Sequence, residues 1–295
     1  MRQWIVGSSL ATSLLFASGC NQINQLTAST LAVSVVTASP DLAAAVNNIE
    51  PGFAASLPLS DPAMVAQVDA WTEIMDRNSQ APVSNAAVAM DWPGGHVSFC
   101  PAGTAGTYFV DSLTTTACSS AGLAYAGGQI YTTTVSLSGS TYTMKVTAPA
   151  PVGENNVSFS PILVDTNIDS LPLSFPSAAA NTALNVDWSN AAEAKGKNTF
   201  VTLARIDYNS PSNTWSVHSP AVVFNNMPAP PSDFISLVTS SPAANVTIPA
   251  DRFVSQALYF LIVTTAALST DTSDNLAIGA GALAGSGTAW VFWVP

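Results

Sequence analysis

The chain has 295 residues, 48% of them apolar and only 8% charged, with seven Lys+Arg against 18 Asp+Glu for a formal charge of -11. Soluble domains usually carry about a quarter charged residues, so most of the polar surface here falls to Ser, Thr, Asn and Gln. The chain is too apolar for charge-driven disorder, and its scattered cations cannot make the basic stripe that a nucleic-acid partner requires.

Residues 1–20 read MRQWIVGSSLATSLLFASGC. One cation, Arg2, precedes an apolar run from Trp4 to Phe16, and the small residues Ala17, Ser18 and Gly19 follow. That is the layout of a secretory signal. The run is too short for a stable spanning helix, which needs roughly 20 apolar residues. The Ala-Ser-Gly-Cys ending resembles the lipobox of bacterial lipoproteins. The resemblance implies a signal peptide over 1–19, acylation of Cys20, and a lipidated tether over 20–30. Asn21 rather than Asp follows the cysteine; by resemblance to Gram-negative sorting patterns, this implies the outer membrane. Several acyl chains hold a protein there durably where one would not.

Beyond the tether, short segments of alternating or β-branched residues are bounded by Gly, Pro, Asn and Ser. The first predicted strand is 31–37 (LAVSVVT). Residues 39–62 carry prolines at 40, 51, 58 and 62 and read as a long ordered loop. Segment 63–76 fits two periods: Val65, Val68, Trp71 and Met75 a helix, Val68, Ala70, Thr72 and Ile74 a strand. Its β neighbours favour the strand. Strands follow at 86–92, 96–100 and 107–111. A hairpin is predicted over 131–147, with Tyr131, Thr133, Val135 and Leu137 on one face and Tyr142, Met144 and Val146 on the return. Ser138-Gly139-Ser140 sits between them, as a hairpin turn needs. The stretch TAPAPVGENN reads as an extended, semi-rigid connection. Later strands are predicted at 183–188, 199–208, 245–249, 257–265 and 288–294. Many short strands without a long amphipathic stretch indicate an all-β chain. The expectation is two tandem β-sandwich domains, 31–148 and 157–295, joined by a linker at 149–156, each long enough to bury a core of its own.

Cysteine usage fits an exported chain. Lipidation of Cys20 leaves Cys100 and Cys118, and an even pair in that compartment reads as a disulfide. With only His96 and His218 in the chain, the spacing is poor for zinc. On chain-entropy grounds such a bridge stabilises by about 3 kcal/mol.

In the first module PVSNAAVAMDW (82–92), GTYFV (106–110) and AGGQIYTTTVSLSG (126–139) resemble the strand order of carboxypeptidase-regulatory-like, transthyretin-like sandwiches. In the second, ALNVDW (183–188) and ALYFLIVTTA (257–266) resemble the Trp-bearing and Tyr-bearing strands of fibronectin type III and immunoglobulin-like domains. A lipobox followed by such modules is similar to outer-membrane lipoproteins of bacteria. The resemblance implies a scaffold, and a scaffold does not set a function.

Signatures of catalysis are thin. HExxH, a Walker loop and a Gly-x-Ser-x-Gly elbow are all missing from the sequence. His96 follows a Trp-Pro-Gly-Gly turn and His218 lies in WSVHSP; both read as surface or cross-strand histidines. Asp69, Glu73 and Asp76 would cluster only on a helix, and otherwise read as solvated charges. Asp165, Asn167 and Asp169 alternate like calcium-loop ligands, but Ser170 replaces the usual Gly and Pro176 the bidentate Glu. An Asx-rich turn explains them equally. Asp271 and Asp274 repeat this pattern more weakly. Among the aromatics, Trp92 and Trp215 are the candidates for stacking on a sugar, with Trp290 and Trp293 behind them, and Trp188 is assigned to the core. The strand TAWVFWV is apolar on both faces, so burial on both sides or a partner contact is expected.

The reading is a non-catalytic, lipid-anchored envelope or surface protein that acts as a structural, adhesion or assembly module. It needs no cofactor, meets the membrane through its acyl chains, and meets a protein or glycan at the cell surface. The alternative is a carbohydrate-binding or outer-membrane transport accessory lipoprotein.

Overall fold

The structure, a computed structural model, describes residues 28–59, 67–111, 122–168, 173–216, 220–226, 242–273, 276–277 and 280–295. The first half supplies β1 (Thr30–Ser39), β2 (Gln67–Asp76), β3 (Ala87–Trp92), β4 (Gly95–Ser98), β5 (Cys100–Pro101), β6 (Thr107–Asp111), β7 (Ile130–Leu137) and β8 (Ser140–Thr147). Then come β9 (Ser158–Ser160), β10 (Val164–Asn167), β11 (Ser174–Ser177), β12 (Leu184–Asp187), β13 (Asn198–Asn209), β14 (Thr214–Trp215) and β15 (Ala221–Asn225). The chain ends with β16 (Asn245–Ile248), β17 (Ala257–Ser269), β18 (Asp271–Thr272) and β19 (Gly281–Val294). The all-β reading holds, and each predicted strand that falls in the described residues has a counterpart. Segment 63–76 is a strand from Gln67 onward; residues 63–66 lie outside the described residues.

Residues 39–62 are not simply a loop. They hold α1 (Leu42–Ile49) and a 3-10 turn at Phe53–Ser56, with 60–62 outside the described residues. Asp41 caps α1 by accepting a hydrogen bond from the Ala44 N–H at 2.8 Å. Good helix formers follow in LAAAV, and Pro51 lies just beyond the end. The prolines flank this helix rather than excluding it.

The hairpin at 131–147 forms as its alternation requires. Tyr131, Thr133, Val135, Met144 and Val146 are buried on one face. Leu137 pairs with Ser140, leaving a two-residue turn whose residues, Ser138 and Gly139, both have positive φ (50° and 81°). That conformation matches the strand twist and favours glycine.

Among the described residues the strands form three sheets. The largest runs β14-β13-β17-β19-β1-β2-β6-β5, with β15 beside β13 and the β10–β11 pair beside the end of β19. The others are β18-β8-β7-β3-β4 and β16-β12-β9. β17 and β19 pair from Ala257↔Val294 to Ser269↔Ala282 in one unbroken register, so even-numbered side chains of β19 all leave by one face. On that face Ala282 and Ala284 join the core under the five-stranded sheet, with Val88, Met90, Tyr131 and Met144. Further along the same face, Phe292 and Val294 join a second core under the three-stranded sheet, with Leu184, Val186, Trp188 and Ile248. The opposite face carries Val291 and Trp293, covered by Leu42 and Val46 of α1 and by Ala54 and Leu57. TAWVFWV is thus buried on both faces, and Trp188 is core as expected.

The expected division into two sandwiches along the chain gives way to an interlock. β1 pairs in parallel with β19 from Val33↔Gly281 to Ala38↔Ser286, so the last strand completes the first sandwich. In return α1, from the first half, covers the outer face of the second. The cause is burial. β19 is apolar on both faces, and its small half (GALAGSG) gives Ala282 and Ala284 to the first core while its bulky half (TAWVFWV) fills the second.

Nor is 149–156 a free linker. The Pro149 carbonyl accepts hydrogen bonds from the Tyr125 hydroxyl at 3.0 Å and the Ser286 hydroxyl at 3.1 Å. The Val152 carbonyl accepts from Thr288 Oγ1 at 2.6 Å. Pro149 and Val152 are buried. Beneath this crossing, Thr199, Thr265 and Ser286 form a buried row across β13, β17 and β19. A polar seam therefore separates the cores.

Candidate functional site

The junction of the two sandwiches forms an open cleft of about 680 Å³. Gly127, Gly128, Ala148 and Ala150 line one side, Ala192, Glu193 and Lys197 the other, and Ala267 to Ser269 of β17 also border it. That first side packs tightly on itself because Gly127 has no side chain: a Cβ there would stand 2.7 Å from the Ala150 Cα. Lys197 Nζ donates to the Glu193 carbonyl at 2.9 Å, and Asn156 Nδ2 donates to Glu193 Oε2 at 3.4 Å. Small residues with one carboxylate and one ammonium at the rim can hold a polar ligand. They do not assemble a nucleophile beside a base.

Among the described residues, those singled out from the sequence do not converge on this cleft. His96 lies opposite Asp91 in the β3–β4 hairpin, with Nδ1 2.7 Å from Asp91 Oδ1 and both side chains more than half exposed. It is a cross-strand surface pair. His218 lies outside the described residues. On β2, Asp69 and Glu73 share a face but stand four residues apart, about 13 Å along a strand. That exceeds the carboxylate separation a glycosidase uses, about 5–10 Å. Burial raises the Glu73 pKa. Asp76 instead caps a turn, where hydrogen bonds from the Ser79 backbone and hydroxyl hold its pKa below the usual range.

Asp165 and Asn167 lie on β10, exposed and paired with β11, so they belong to a strand rather than a ligand loop; Asp169 lies outside the described residues. Among the described residues, no group of three or more His, Cys, Asp or Glu is placed to hold a metal. Asp271 lies in the short strand β18, opposite Lys145; Asp274 lies outside the described residues.

Trp92 is not an exposed platform. It is 7% exposed, and its ring lies near-parallel to Tyr131 at 6.4 Å. Gly94 and Gly95 pass close over the same indole, so it packs its own turn. Trp215 is half-buried in an aromatic cluster, 4.7 Å from Tyr208, 5.7 Å from Phe53 and 6.1 Å from Trp293. Its faces serve the core beneath α1. Trp290 meets Phe159 edge-on at 5.9 Å. Cys100 lies on β5 beside β6. Cys118 and Cys20 lie outside the described residues.

Three tyrosines with structural roles were missed as a group. The Tyr131 hydroxyl donates to the Ala124 carbonyl at 2.7 Å and accepts from the Ala126 N–H at 3.1 Å. Tyr259 repeats this spacing, donating to the Arg252 carbonyl at 3.0 Å and accepting from the Val254 N–H at 2.8 Å. Tyr108 bridges the Val83 carbonyl and the Ala86 N–H, both at 2.9 Å. Burial raises the pKa of Tyr125, Tyr131 and Tyr259. A tyrosine opening a strand just after a polar corner was the available signal. Trp71 and Phe109 were also missed; they are half-buried, directly paired across β2 and β6 on the outer face of the large sheet.

No protein-family model matches the chain, and no curated protein matches it. A solved structure of trypsin-activated alpha-2-macroglobulin from Escherichia coli is similar at 9% identity, over 77% of this chain and 14% of that one, with a TM-score of 0.19. At that score the likeness bears on neither fold nor function.

Proposed function

We propose that this is a lipid-anchored, non-catalytic protein of the bacterial outer membrane that works by contact, as a structural, adhesion or assembly module. The observation that carries it is the order of the first forty residues. A short apolar run ends in Ala-Ser-Gly-Cys, a polar stretch follows, and at Thr30 the chain enters a strand in the interior of its largest sheet. Acylation of Cys20 would tie a β-rich body to a bilayer through that strand. A bridge from Cys100 to Cys118 belongs to the same reading, as does the oxidising compartment it needs.

Fractionation and intact mass test the anchor. The mature protein should partition into detergent with an acyl adduct on Cys20, and Cys20→Ser should be unprocessed or soluble. A Cys20→Ser protein that still partitions with a normal acyl mass would sink the reading.

The glycan-binding alternative is favoured by one observation, the Trp71–Phe109 pair on the outer face of the large sheet. It moves the stacking site away from Trp92 and Trp215. Trp71→Ala should abolish retention on a glycan array if that alternative is right, and leave it unchanged if it is wrong.

A further inference from the structure

The tether meets the body at an interior strand. β2 flanks β1 antiparallel from Thr30↔Asp76 to Ser39↔Gln67, and β19 flanks it in parallel from Val33↔Gly281 to Ala38↔Ser286. Both faces of β1 are buried as well. Ala32 and Val36 lie in the first core, and Val33 and Val35 pack with Trp71 and Leu283 on the other side. Ser34 Oγ lies 2.6 Å from Thr133 Oγ1 on the facing sheet and accepts from Thr72 Oγ1 at 3.2 Å.

Direction matters because β1 and β19 run the same way. The tether pulls on β1 at Thr30, whereas β19 continues past the shared ladder to Val294 at the opposite end. A load entering at Thr30 and leaving through the far half of β19 must slide β1 lengthwise. Sliding stretches the hydrogen bonds of both ladders together, and it shears Ser34 past Thr72 and Thr133. Pulling β1 away from β2 at the Thr30–Asp76 end would instead open the same bonds one pair at a time. Forced unfolding is governed by the barrier, and a barrier made of many bonds broken at once is higher than one made of single bonds broken in turn.

We propose that β1 is a shear clamp, the mechanical joint through which the lipid-tethered body holds load against a partner without its first strand peeling away. This rests on the anchored reading, since only an anchor at Cys20 directs load into Thr30.

Single-molecule pulling on the full-length, unlipidated chain tests it in two geometries. Handles at Cys20 and Pro295→Cys load β1 in shear. Handles at Cys20 and the exposed turn residue Asn78→Cys unzip β1 from β2, because Asn78 lies two residues past the Asp76 end of the ladder. Neither handle touches the ladder, so both proteins should fold alike by circular dichroism. The shear geometry should rupture at severalfold higher force, in an event that does not begin with β1. Equal forces in the two geometries would overturn the clamp. So would an early low-force step in shear that frees only the length of 30–39. The force comparison uses unlipidated protein, so its failure leaves the anchor standing. A mature Cys20 without an acyl mass would overturn the proposal by the other route, with the forces unchanged.

Discussion

Phe292→Ala puts the shared strand to the test. Phe292 is fully buried in the second core, lies opposite Tyr259 in the ladder, and stacks on it at 5.5 Å with the rings 7° from parallel. Phe253 closes the third side at 6.1 Å. Truncating such a ring removes its transfer energy and leaves a cavity, at a cost of about 3–5 kcal/mol. Domains of this size commonly have about 5–15 kcal/mol in hand, so the variant should still fold. Each 1.4 kcal/mol is about a tenfold change in the opening equilibrium, so amides that exchange by global opening should speed up by about a hundredfold or more. The two sandwiches share β19, and therefore the loss should appear in both. Hydrogen exchange read by mass spectrometry would follow peptides from 257–266, beside the mutation, and from the 130–147 hairpin in the other sandwich. Comparable acceleration in both is expected. Unchanged protection of 130–147, with 257–266 alone accelerated, would show that the sandwiches open separately and that the β1–β19 ladder does not couple them.

Limited proteolysis of the native protein should spare 149–156, because Pro149 and Val152 are held at their carbonyls; a clean cut there giving two stable fragments would refute the pinned crossing. Tyr131→Phe and Tyr259→Phe each remove the hydroxyl that bridges a backbone N–H and a backbone C=O. Each should lower stability by about 0.5–1.5 kcal/mol in denaturant titration, while an unchanged midpoint would deny the corner a structural role. Stability should also fall at alkaline pH. Burial raises the folded pKa of Tyr125, Tyr131 and Tyr259 above the unfolded value near 10. Their contribution is therefore complete below about pH 10 and is lost above it, as the unfolded state ionises first. A melting temperature that stays flat from pH 9 to pH 11 would contradict this. Ser34→Ala should weaken the sheet-to-sheet tie without changing the fold, read as a lower melting midpoint with an unchanged circular dichroism spectrum; an unchanged midpoint would show that the hydroxyl cluster adds nothing.

Local chemistry determined what the sequence could disclose. Alternation around Ser138-Gly139 specified the β7–β8 hairpin, because a period of two sends every second side chain to the core and a positive-φ turn needs glycine. The doubly apolar end of β19 was legible for the same reason. Residues 1–20 carry the linear pattern on which the proposed anchor rests, since signals are read as linear chains. The α-helix at Leu42–Ile49 escaped notice because the prolines around it masked a short run of helix formers. The aromatic candidates failed on a different ground. A tryptophan's composition and neighbours do not say which way its ring turns, and Trp92 folds under its own Gly-Gly turn while Trp215 joins Tyr208 and Trp293. The interlock, the pinned crossing at Pro149 and Val152, and the cleft between the sandwiches were decided only by tertiary structure. The parallel pairing of β1 with β19 joins the two ends of the chain, and backbone ladders between distant strands leave no periodic mark in either one. Burial favours that pairing, because the small-residue half of β19 adds Ala282 and Ala284 to the first core and its bulky half fills the second.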